Sequence, residues 1–320
     1  MYECIKSIKE KKLQKIENEV FLVSEKHILK ARNGDDYVGL KLKDKSGVID
    51  AKIWNNLLHL KDRFEEGDFI KIKGESNYYN DNWQIIIKDV KKITDNSLNK
   101  TDFLPSSNRD REIMKNELFT LINGIKNQSL KKLLLSIFED KEFLEKFCTA
   151  PAAKAMHHAY IGGLLEHTVS VGKLAKEIGE YYMDIDKDLL VSCALLHDIG
   201  KVYELDPVTF NYTTQGKLIG HIIIGYTIVQ NKIEELKTIS EEKKINLLHC
   251  ILSHHGEYEY GSPKKPKTKE AVLFNLIDVL DSRMQPVLNA QINNNSGWSD
   301  MVRIIGKSIY APNKSNELFK

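Results

Sequence analysis

Residues 195–201 read LLHDIGK, and they close a run of leucines that are spaced like the buried side of a helix. The glycine at position 200 predicts a C-cap that ends this helix directly after the histidine and the aspartate. Adjacent His197 and Asp198 at a buried helix end can direct two ligand side chains into one cavity. This stretch therefore predicts a helical domain built around a polar site.

The other histidines supply the context that a lone His-Asp pair lacks. Eight of the ten histidines fall between His157 and His255. His167 lies in one apolar helical run, and His254 with its neighbour closes another. Asp278 lies in a third such run, where a carboxylate is costly unless it is paired or bound to a metal. The pattern indicates a cluster of metal ligands.

This order, H…HD…H…HH…D between residues 150 and 284, resembles the HD-domain metal-dependent phosphohydrolase superfamily. The resemblance implies one metal at His167, His197, Asp198 and Asp278. The extra histidines imply a second metal, with Asp198 bridging the two. His254 is favoured over His255 as a ligand because adjacent side chains need not face the same cavity. The resulting ligand set is His167, His197, Asp198, His221, His254, His255 and Asp278.

These residue types suit phosphodiester hydrolysis. Imidazole and carboxylate donors together favour Mn, with Fe, Co or Zn as alternatives, over Mg, which prefers oxygen donors. Two such ions can activate a water and hold the attacking and leaving oxygens in line. Lys201 can reach a nonbridging phosphate oxygen. We therefore expect Asp198 and Lys201 to be catalytic, with two divalent ions as cofactors.

The first hundred residues have a different period. Residues 19–93 alternate between apolar and polar, as in 37–43, where Val38, Leu40 and Leu42 share one face. Turn clusters separate the runs, and residues 55–64 read as a short helix between the third and fourth strands. Short strands with regular turns predict a small barrel. This arrangement resembles the OB-fold.

The predicted fold class is a multi-domain chain, with an N-terminal all-β OB-fold barrel and a C-terminal all-α HD domain. We place the barrel at residues 1–95, a polar linker at 96–108, the HD domain at 109–310 and a tail at 311–320. Ser107 or Asn108 is the expected N-cap of the first helix after the linker.

The whole chain resembles the YhaM-type 3′→5′ exoribonuclease family. The paired histidines at 157–158, the stretch 258–263 and the N-terminal barrel carry this resemblance. It implies a 3′→5′ exonuclease that releases nucleoside 5′-monophosphates from single-stranded RNA, with single-stranded DNA as the alternative. The Gly-Tyr-Pro signature of cyclic-dinucleotide phosphodiesterases is replaced by YGSP at 260–263, which disfavours that substrate.

Several residues are candidates for substrate contact. Aromatic and lysine side chains interleaved on outward strand faces suit single-stranded nucleic acid, although a solvated strand face would look similar. The lysine-rich stretch 262–269 predicts a basic loop over the site entrance. Asp281 is either a substrate contact, a partner of Arg283 or an acceptor behind a ligand. The candidates are Tyr37, Lys52, Trp54, Lys71, His158, Lys201, Lys264, Lys265 and Asp281.

Composition limits the remaining choices. The 320 residues carry 47 basic and 45 acidic side chains, so the net charge of +2 gives no argument for a nucleic-acid partner. The four cysteines are far apart, which favours reduced thiols in the cytoplasm. No apolar run reaches the ~20 residues that span a bilayer, so we expect no membrane partner. A homo-oligomer is compatible with the composition.

Two other functions compete with the exonuclease. One is an HD-type phosphohydrolase or phosphodiesterase acting on small nucleotides, with the barrel serving assembly. The other is a non-catalytic single-strand nucleic-acid-binding protein with a vestigial site. The intact ligand set argues against the second, and the outward aromatic residues of the barrel argue against the first.

Overall fold

The computed structural model describes residues 4–11, 15–31, 33–94, 103–154, 159–293 and 296–311. A five-stranded barrel precedes a helical domain, which confirms the fold class that the two periodicities predict. Among the helices of these residues, none combines the length and the apolarity needed to cross a bilayer.

The barrel closes in the strand order β1-β2-β3-β5-β4. Closure depends on the length of β1, whose first half pairs with β4 and whose second half pairs with β2. Two register shifts along β1 let it bend between these partners. The strands are β1 (Lys15–Lys30), β2 (Asp36–Asp44), β3 (Gly47–Ile53), β4 (Phe69–Tyr79) and β5 (Asn82–Lys92).

Alternation fills the barrel interior as predicted. Val38, Leu40 and Leu42 are buried on β2, and a 3-10 helix at Asn55–Arg63 lies where the short helix was expected. The sequence analysis did not predict α1 (Cys4–Lys11), which packs Ile5 into the barrel core. The backbone N–H of Ile5 donates to Asp44 Oδ2 at 2.9 Å, which fixes this helix to the barrel.

The helical domain has one apolar core, and most of its helices contribute to that core. Its helices are α2 (Arg111–Gly124), α3 (Gln128–Phe138), α4 (Lys141–Thr149), α5 (Gly163–Tyr181), α6 (Lys187–Leu196), α7 (Lys201–Glu204), α8 (Thr214–Leu218), α9 (His221–Leu236), α10 (Glu241–Ser253) and α11 (Lys269–Leu288).

One local expectation was wrong. The N-cap of α2 is Asp110, whose side chain accepts from the backbone N–H of Ile113. Ser107 instead donates from its hydroxyl to Glu166 Oε2 at 2.6 Å, so it ties the linker end to α5. The last helix, α11, stops at Leu288, and isolated β-bridges follow it.

The two domains meet at the loop between α7 and α8. Phe210 is buried in a small cluster with Leu22 of the barrel and Leu104 of the linker end. Asn211 Nδ2 donates to the Ser24 carbonyl at 2.6 Å and to Glu66 Oε1 at 2.8 Å. Phe210 holds a φ of 62°, a strained value for an aromatic residue that its packing must maintain.

A barrel lysine covers this contact. Lys43 Nζ lies 3.8 Å from the centroid of the Phe210 ring. Burial lowers the pKa of Lys43 to about 8. The contact therefore combines apolar burial, two amide hydrogen bonds and a partly desolvated ammonium over an aromatic face.

Phe210→Ala is expected to destabilise the protein because it removes a ring that is 1% exposed from between the domains. Loss of such a ring costs about 3–5 kcal/mol of unfolding free energy. Urea denaturation would measure this loss. The control Leu218→Ala, at a position 80% exposed, should change the unfolding free energy by less than about 0.5 kcal/mol. Equal effects of the two substitutions would contradict the proposed domain contact.

Candidate metal centre

Five helices bring the predicted ligands together. His167 lies in the first half of α5, and His197 with Asp198 follows the last residue of α6. His221 is the first residue of α9, and His254 caps the end of α10. Asp278 projects from the middle of α11. The apolar faces of these helices form the domain core, so their polar side chains converge at one end of it.

Gly200 has a different role from the predicted C-cap. Its φ is −65°, an ordinary right-handed helical value that needs no glycine. A Cβ atom at this position would lie 2.0 Å from the carbonyl oxygen of His221 and 2.7 Å from the nitrogen of Gly225. The glycine therefore lets α9 approach the His197–Asp198 turn, and this approach brings His221 to the site.

The ligand atoms form two groups that could each hold a metal ion. One consists of His167, His197 and Asp278, and the other of His221, His254 and His255. Within each group the potential ligand atoms all lie within 4.8 Å of one another. His255 thus faces the same cavity as His254, although the sequence favoured only one of the pair.

Asp198 lies between the two groups. Its Oδ2 is 3.2 Å from His197 Nε2 and 3.7 Å from His167 Nε2. Its Oδ1 is 3.4 Å from His221 Nε2 and 3.7 Å from His254 Nε2. One carboxylate oxygen therefore faces each group, which is the arrangement expected of a bridging ligand.

Hydrogen bonds fix the orientation of all five imidazoles. Each Nδ1 has an acceptor behind it at 2.8–3.0 Å. Donation from Nδ1 leaves Nε2 as the atom with the free lone pair, and a metal binds this tautomer. The pairs are His167 with Asp281, His197 with the Ala194 carbonyl, His221 with Glu204, His254 with the Ile251 carbonyl and His255 with the Tyr260 carbonyl.

Three atoms at the centre fit a cation. Within the described part of the chain, Asp198 Oδ1, His221 Nε2 and His254 Nε2 are buried and have no hydrogen-bond partner. Unpartnered polar atoms are rare in protein interiors because they lose their hydration without compensation. A divalent ion would satisfy all three atoms at once, so these donors fit the group that the sequence implies.

The carboxylates are ionised. Burial alone would raise the pKa of Asp198, but His197 and Lys201 hold it well below its usual value. Asp278 behaves in the same way, since His167 and His197 outweigh its burial and lower its pKa. The site therefore presents negative charge to whatever it binds.

The two groups of histidines differ in their affinity for protons. Burial opposes protonation of His167, but its contacts with Asp278 and Asp281 prevail and raise its pKa to about 10. Burial, reinforced by His255 and His197, holds the pKa of His254 well below its usual value. The pKa of His255 is also lowered, chiefly by burial. His254 and His255 thus stay neutral, whereas His167 favours a proton that a bound cation would replace.

Two carboxylates accept hydrogen bonds from candidate ligand histidines on the side away from the centre. Asp281 accepts from His167 at 2.8 Å and from the Ser170 hydroxyl, and it is 3% exposed. This position is that of an acceptor behind a candidate ligand, which is one of the roles expected for Asp281. Glu204 Oε1 accepts from both the Nδ1 and the backbone N–H of His221, each at 2.9 Å. The sequence analysis missed Glu204, whose only signal was its spacing after Lys201.

Lys201 reaches the centre as predicted. Its Nζ lies 2.7 Å from Asp198 Oδ2. Burial would lower its pKa, but the attraction of Asp198 prevails and raises it, so the side chain is cationic. Lys201 shares a cavity of about 330 Å³ with His167, Asp198, His254, His255 and Tyr260.

The barrel brings together most of its predicted nucleic-acid contacts. The rings of Tyr37 and Trp54 are 5.2 Å apart, and Lys52 Nζ lies 5.5–5.7 Å from both ring centroids. Tyr79, which the sequence analysis missed, contributes a third ring 5.6 Å from the same ammonium. Lys71 is exposed on β4, where it pairs with Val20 and Lys91 rather than with this group.

The remaining candidates fall elsewhere. His158 lies outside the described residues. Phe69, the first residue of β4, is partly buried and packs on the small cluster at the domain contact. Lys264 and Lys265 line a groove along α10 and are not among the residues that line the metal cavity.

Comparisons with known proteins agree with this architecture. A family model for the HD domain matches residues 164–283, and one for an OB-fold nucleic acid binding domain matches residues 19–93. The fold and the site together therefore define an HD-domain protein with an N-terminal OB-fold.

Curated relatives narrow this class to one family. The 3′-5′ exoribonuclease YhaM of Bacillus pumilus (strain SAFR-032) is 37% identical over 256 residues, which cover 79% of this chain and 81% of that protein. The protein of the same name from Listeria welshimeri is 34% identical and covers 79% and 80%. The chain belongs to the YhaM family. Among solved structures, the second OB-fold domain of replication protein A from Methanococcus maripaludis covers 24% of this chain and 85% of its own, with 19% identity and a TM-score of 0.21.

The number of ions that variants retain should distinguish the two ligand groups. We expect the full chain to retain two divalent ions after dialysis, and His167→Ala or His221→Ala to retain one. His59→Ala, an exposed histidine of the barrel, should still retain two. Elemental analysis by mass spectrometry would measure the ratios. Retention of two ions by both site variants would contradict the assignment.

Glu204→Ala tests whether the acceptor behind His221 contributes to metal binding in the group of His221, His254 and His255. Loss of an acceptor behind a metal-bound histidine weakens metal affinity about 10- to 100-fold. We therefore expect weaker binding of the ion on the His221 side, with the ion on the His167 side unchanged. Calorimetric titration would resolve the two affinities.

Proposed function

We propose that this protein is a metal-dependent 3′→5′ exonuclease that hydrolyses single-stranded RNA to nucleoside 5′-monophosphates. The observation that supports it most strongly is the pair of ligand groups sharing Asp198. All the imidazoles around Asp198 are oriented with Nε2 available as a ligand. The relatives named 3′-5′ exoribonuclease support the direction of cleavage and the substrate.

The donor set favours two divalent ions, with Mn first and Fe, Co or Zn as alternatives. Five imidazoles and two carboxylates suit such borderline ions better than Mg. When bound, the ions supply Lewis-acid activation of water and neutralise charge on the phosphate. Asp198 would bridge them, with His167, His197 and Asp278 on one side and His221, His254 and His255 on the other.

Residues of this chain have separate tasks around the scissile phosphate. Lys201, held as a cation beside Asp198, is placed to donate to a nonbridging phosphate oxygen. Glu204 and Asp281 orient His221 and His167 without touching substrate. The cavity of about 330 Å³ has room for one terminal nucleotide, which fits removal of nucleotides singly from an end.

The barrel would hold the substrate through stacking and charge. Tyr37, Trp54 and Tyr79 surround Lys52, so bases can stack beside an ammonium that pairs with phosphate. Stacking does not depend on the sugar, so single-stranded DNA is an alternative substrate. We propose RNA as the substrate because the relatives are named as exoribonucleases.

Other properties of the chain are proposed on narrower grounds. The four cysteines are free and buried, which agrees with a reducing cytoplasm. A homo-oligomer is favoured because five of the seven exposed positions of α11 carry large apolar side chains. We retain residues 1–95, 96–108 and 109–310 as the barrel, linker and helical units.

An RNA with a 3′ overhang, incubated with Mn²⁺, should give a ladder that shortens from the 3′ end. Asp198→Ala should abolish this ladder because it removes the ligand shared by both groups. Denaturing gels of 5′-labelled RNA would show the result. Release of phosphate from free nucleotides without RNA cleavage would favour a small-nucleotide phosphohydrolase. Binding without turnover would favour a non-catalytic binding protein.

Trp54→Ala should weaken RNA binding and spare the metal site. Loss of one base-stacking ring costs about 1–3 kcal/mol, so the Kd should rise about 5- to 150-fold. Hydrolysis of a small chromogenic diester should be unchanged. Tyr181→Ala, at another exposed aromatic residue, serves as the control in the helical domain. Equal loss of both activities in Trp54→Ala would contradict this division of labour.

A further inference from the structure

A second groove of the helical domain has the features of a nucleic-acid site. It has a volume of about 540 Å³ and lies between α9, α10 and the loop that follows the paired histidines. Its four lysines are Lys244, Lys264, Lys265 and Lys267, and its only lining acid is Glu241. None of these residues lines the metal cavity.

Two of the four lysines of this groove have no acidic partner among the described residues. Lys244 Nζ is 3.6 Å from Glu241 Oε2, and Lys265 forms an ion pair with Glu257 outside the groove. Lys264 and Lys267 are exposed and have no acidic partner within the described residues. Two free ammonium groups on one rim attract phosphates.

The lysine loop is held in place rather than left to move. The Ser262 hydroxyl donates to the carbonyl of Leu252 at 3.2 Å, and the backbone N–H of Lys267 donates to His249 Nε2 at 2.9 Å. Both anchors lie on α10, so the loop runs along that helix. A fixed loop loses little conformational entropy when it binds a ligand.

The floor of the groove suits a base. Tyr226 and the apolar side chains of Ile245, Leu248 and Leu252 line it. Gln230 also lines the groove, and its Nε2 donates to Glu234. Aromatic and apolar side chains on a groove floor offer a surface on which a base can stack.

The direction of the groove links it to the metal centre. Its lining residues on α10 run from Glu241 to Leu252 on one face, which spans about 16 Å at 1.5 Å per residue. The loop that follows the paired histidines joins the two places, because Tyr260 lines the metal cavity and Lys264, four residues later, lines the groove. One end of the groove is therefore connected to the metal cavity through this loop.

We propose that this groove binds the part of the RNA that lies 5′ to the nucleotide at the metal centre. The rim lysines pair with its phosphates, and the floor accepts a base beside Gln230. This proposal rests on the exonuclease function, and it adds a contact within the helical domain to those of the barrel. It predicts that affinity for long RNA depends on Lys264 and Lys267, whereas chemistry at the metal centre does not.

The test compares two double variants of the full chain that lose equal charge. Lys264→Ala/Lys267→Ala removes the rim, and Lys132→Ala/Lys141→Ala removes two exposed lysines from α3 and α4. The probe is a single-stranded RNA of about 20 nucleotides, and its Kd is measured at several salt concentrations. The logarithm of the association constant falls linearly with the logarithm of the salt concentration, and each phosphate contact contributes about 0.7 to the magnitude of this slope. Loss of both rim lysines should therefore reduce the magnitude of the slope by about 1.4.

Kinetics provide the second readout. The rim variant should raise KM for the long RNA several-fold and leave its kcat and the hydrolysis of a small chromogenic diester unchanged. Ile245→Glu, at a floor position 57% exposed, places a carboxylate in the groove and should weaken RNA binding with little effect on folding. Weaker RNA binding in both Lys264→Ala/Lys267→Ala and Ile245→Glu would support the groove as an RNA-binding site.

Three results would overturn the proposal. The rim variant could match the control variant in Kd and salt slope. It could lose diester hydrolysis as strongly as RNA binding, which would mean that the loop only supports His255. It could change only inhibition by free nucleoside monophosphates, which would make the groove a mononucleotide site. Failure of the exonuclease function itself would be visible separately, because the wild-type chain would then produce no 3′ ladder.

Discussion

The buried carboxylate of Asp198 is the constraint on which the rest of the site depends. It is 3% exposed and ionised, and among the described residues only Lys201 approaches it closely as a permanent cation. A buried charge needs compensation, and the five imidazoles of the two ligand groups are oriented by acceptors on their far sides. Bound cations would complete this compensation, so the convergence of the five helices favours metal binding.

The site and the domain contact share one short segment. Helix α7 carries Lys201 at its start and Glu204 at its end, so it supports both Asp198 and His221. The chain continues directly into the loop that places Phe210 and Asn211 against the barrel. The barrel contact and the metal centre are therefore joined by about ten residues of chain.

Much of this organisation could be predicted from sequence, because it depends on the spacing of apolar residues and on the order of histidines and aspartates along the chain. The change from period two to helical spacing indicated both domains, and the H…HD…H…HH…D order indicated the histidines and aspartates that the structure brings together. Glu204 could not be found in this way, because an acid three residues after Lys201 is an ordinary surface pattern until α9 brings His221 against it. Gly200 suggested a C-cap, since sequence does not reveal that another helix crosses within van der Waals contact. The lysine loop was correctly recognised as basic, but its position along α10 depends on His249 and Leu252, which are distant in sequence from its lysines.

We propose that the carboxylate of Asp198 joins two ions in a single centre. Electron paramagnetic resonance of the full chain loaded with two equivalents of Mn²⁺ would test this bridge. We expect the spectrum of an exchange-coupled pair, and we expect Asp198→Asn to convert any bound Mn²⁺ to uncoupled signals. A wild-type spectrum of isolated Mn²⁺ ions only, at full occupancy, would contradict the bridge.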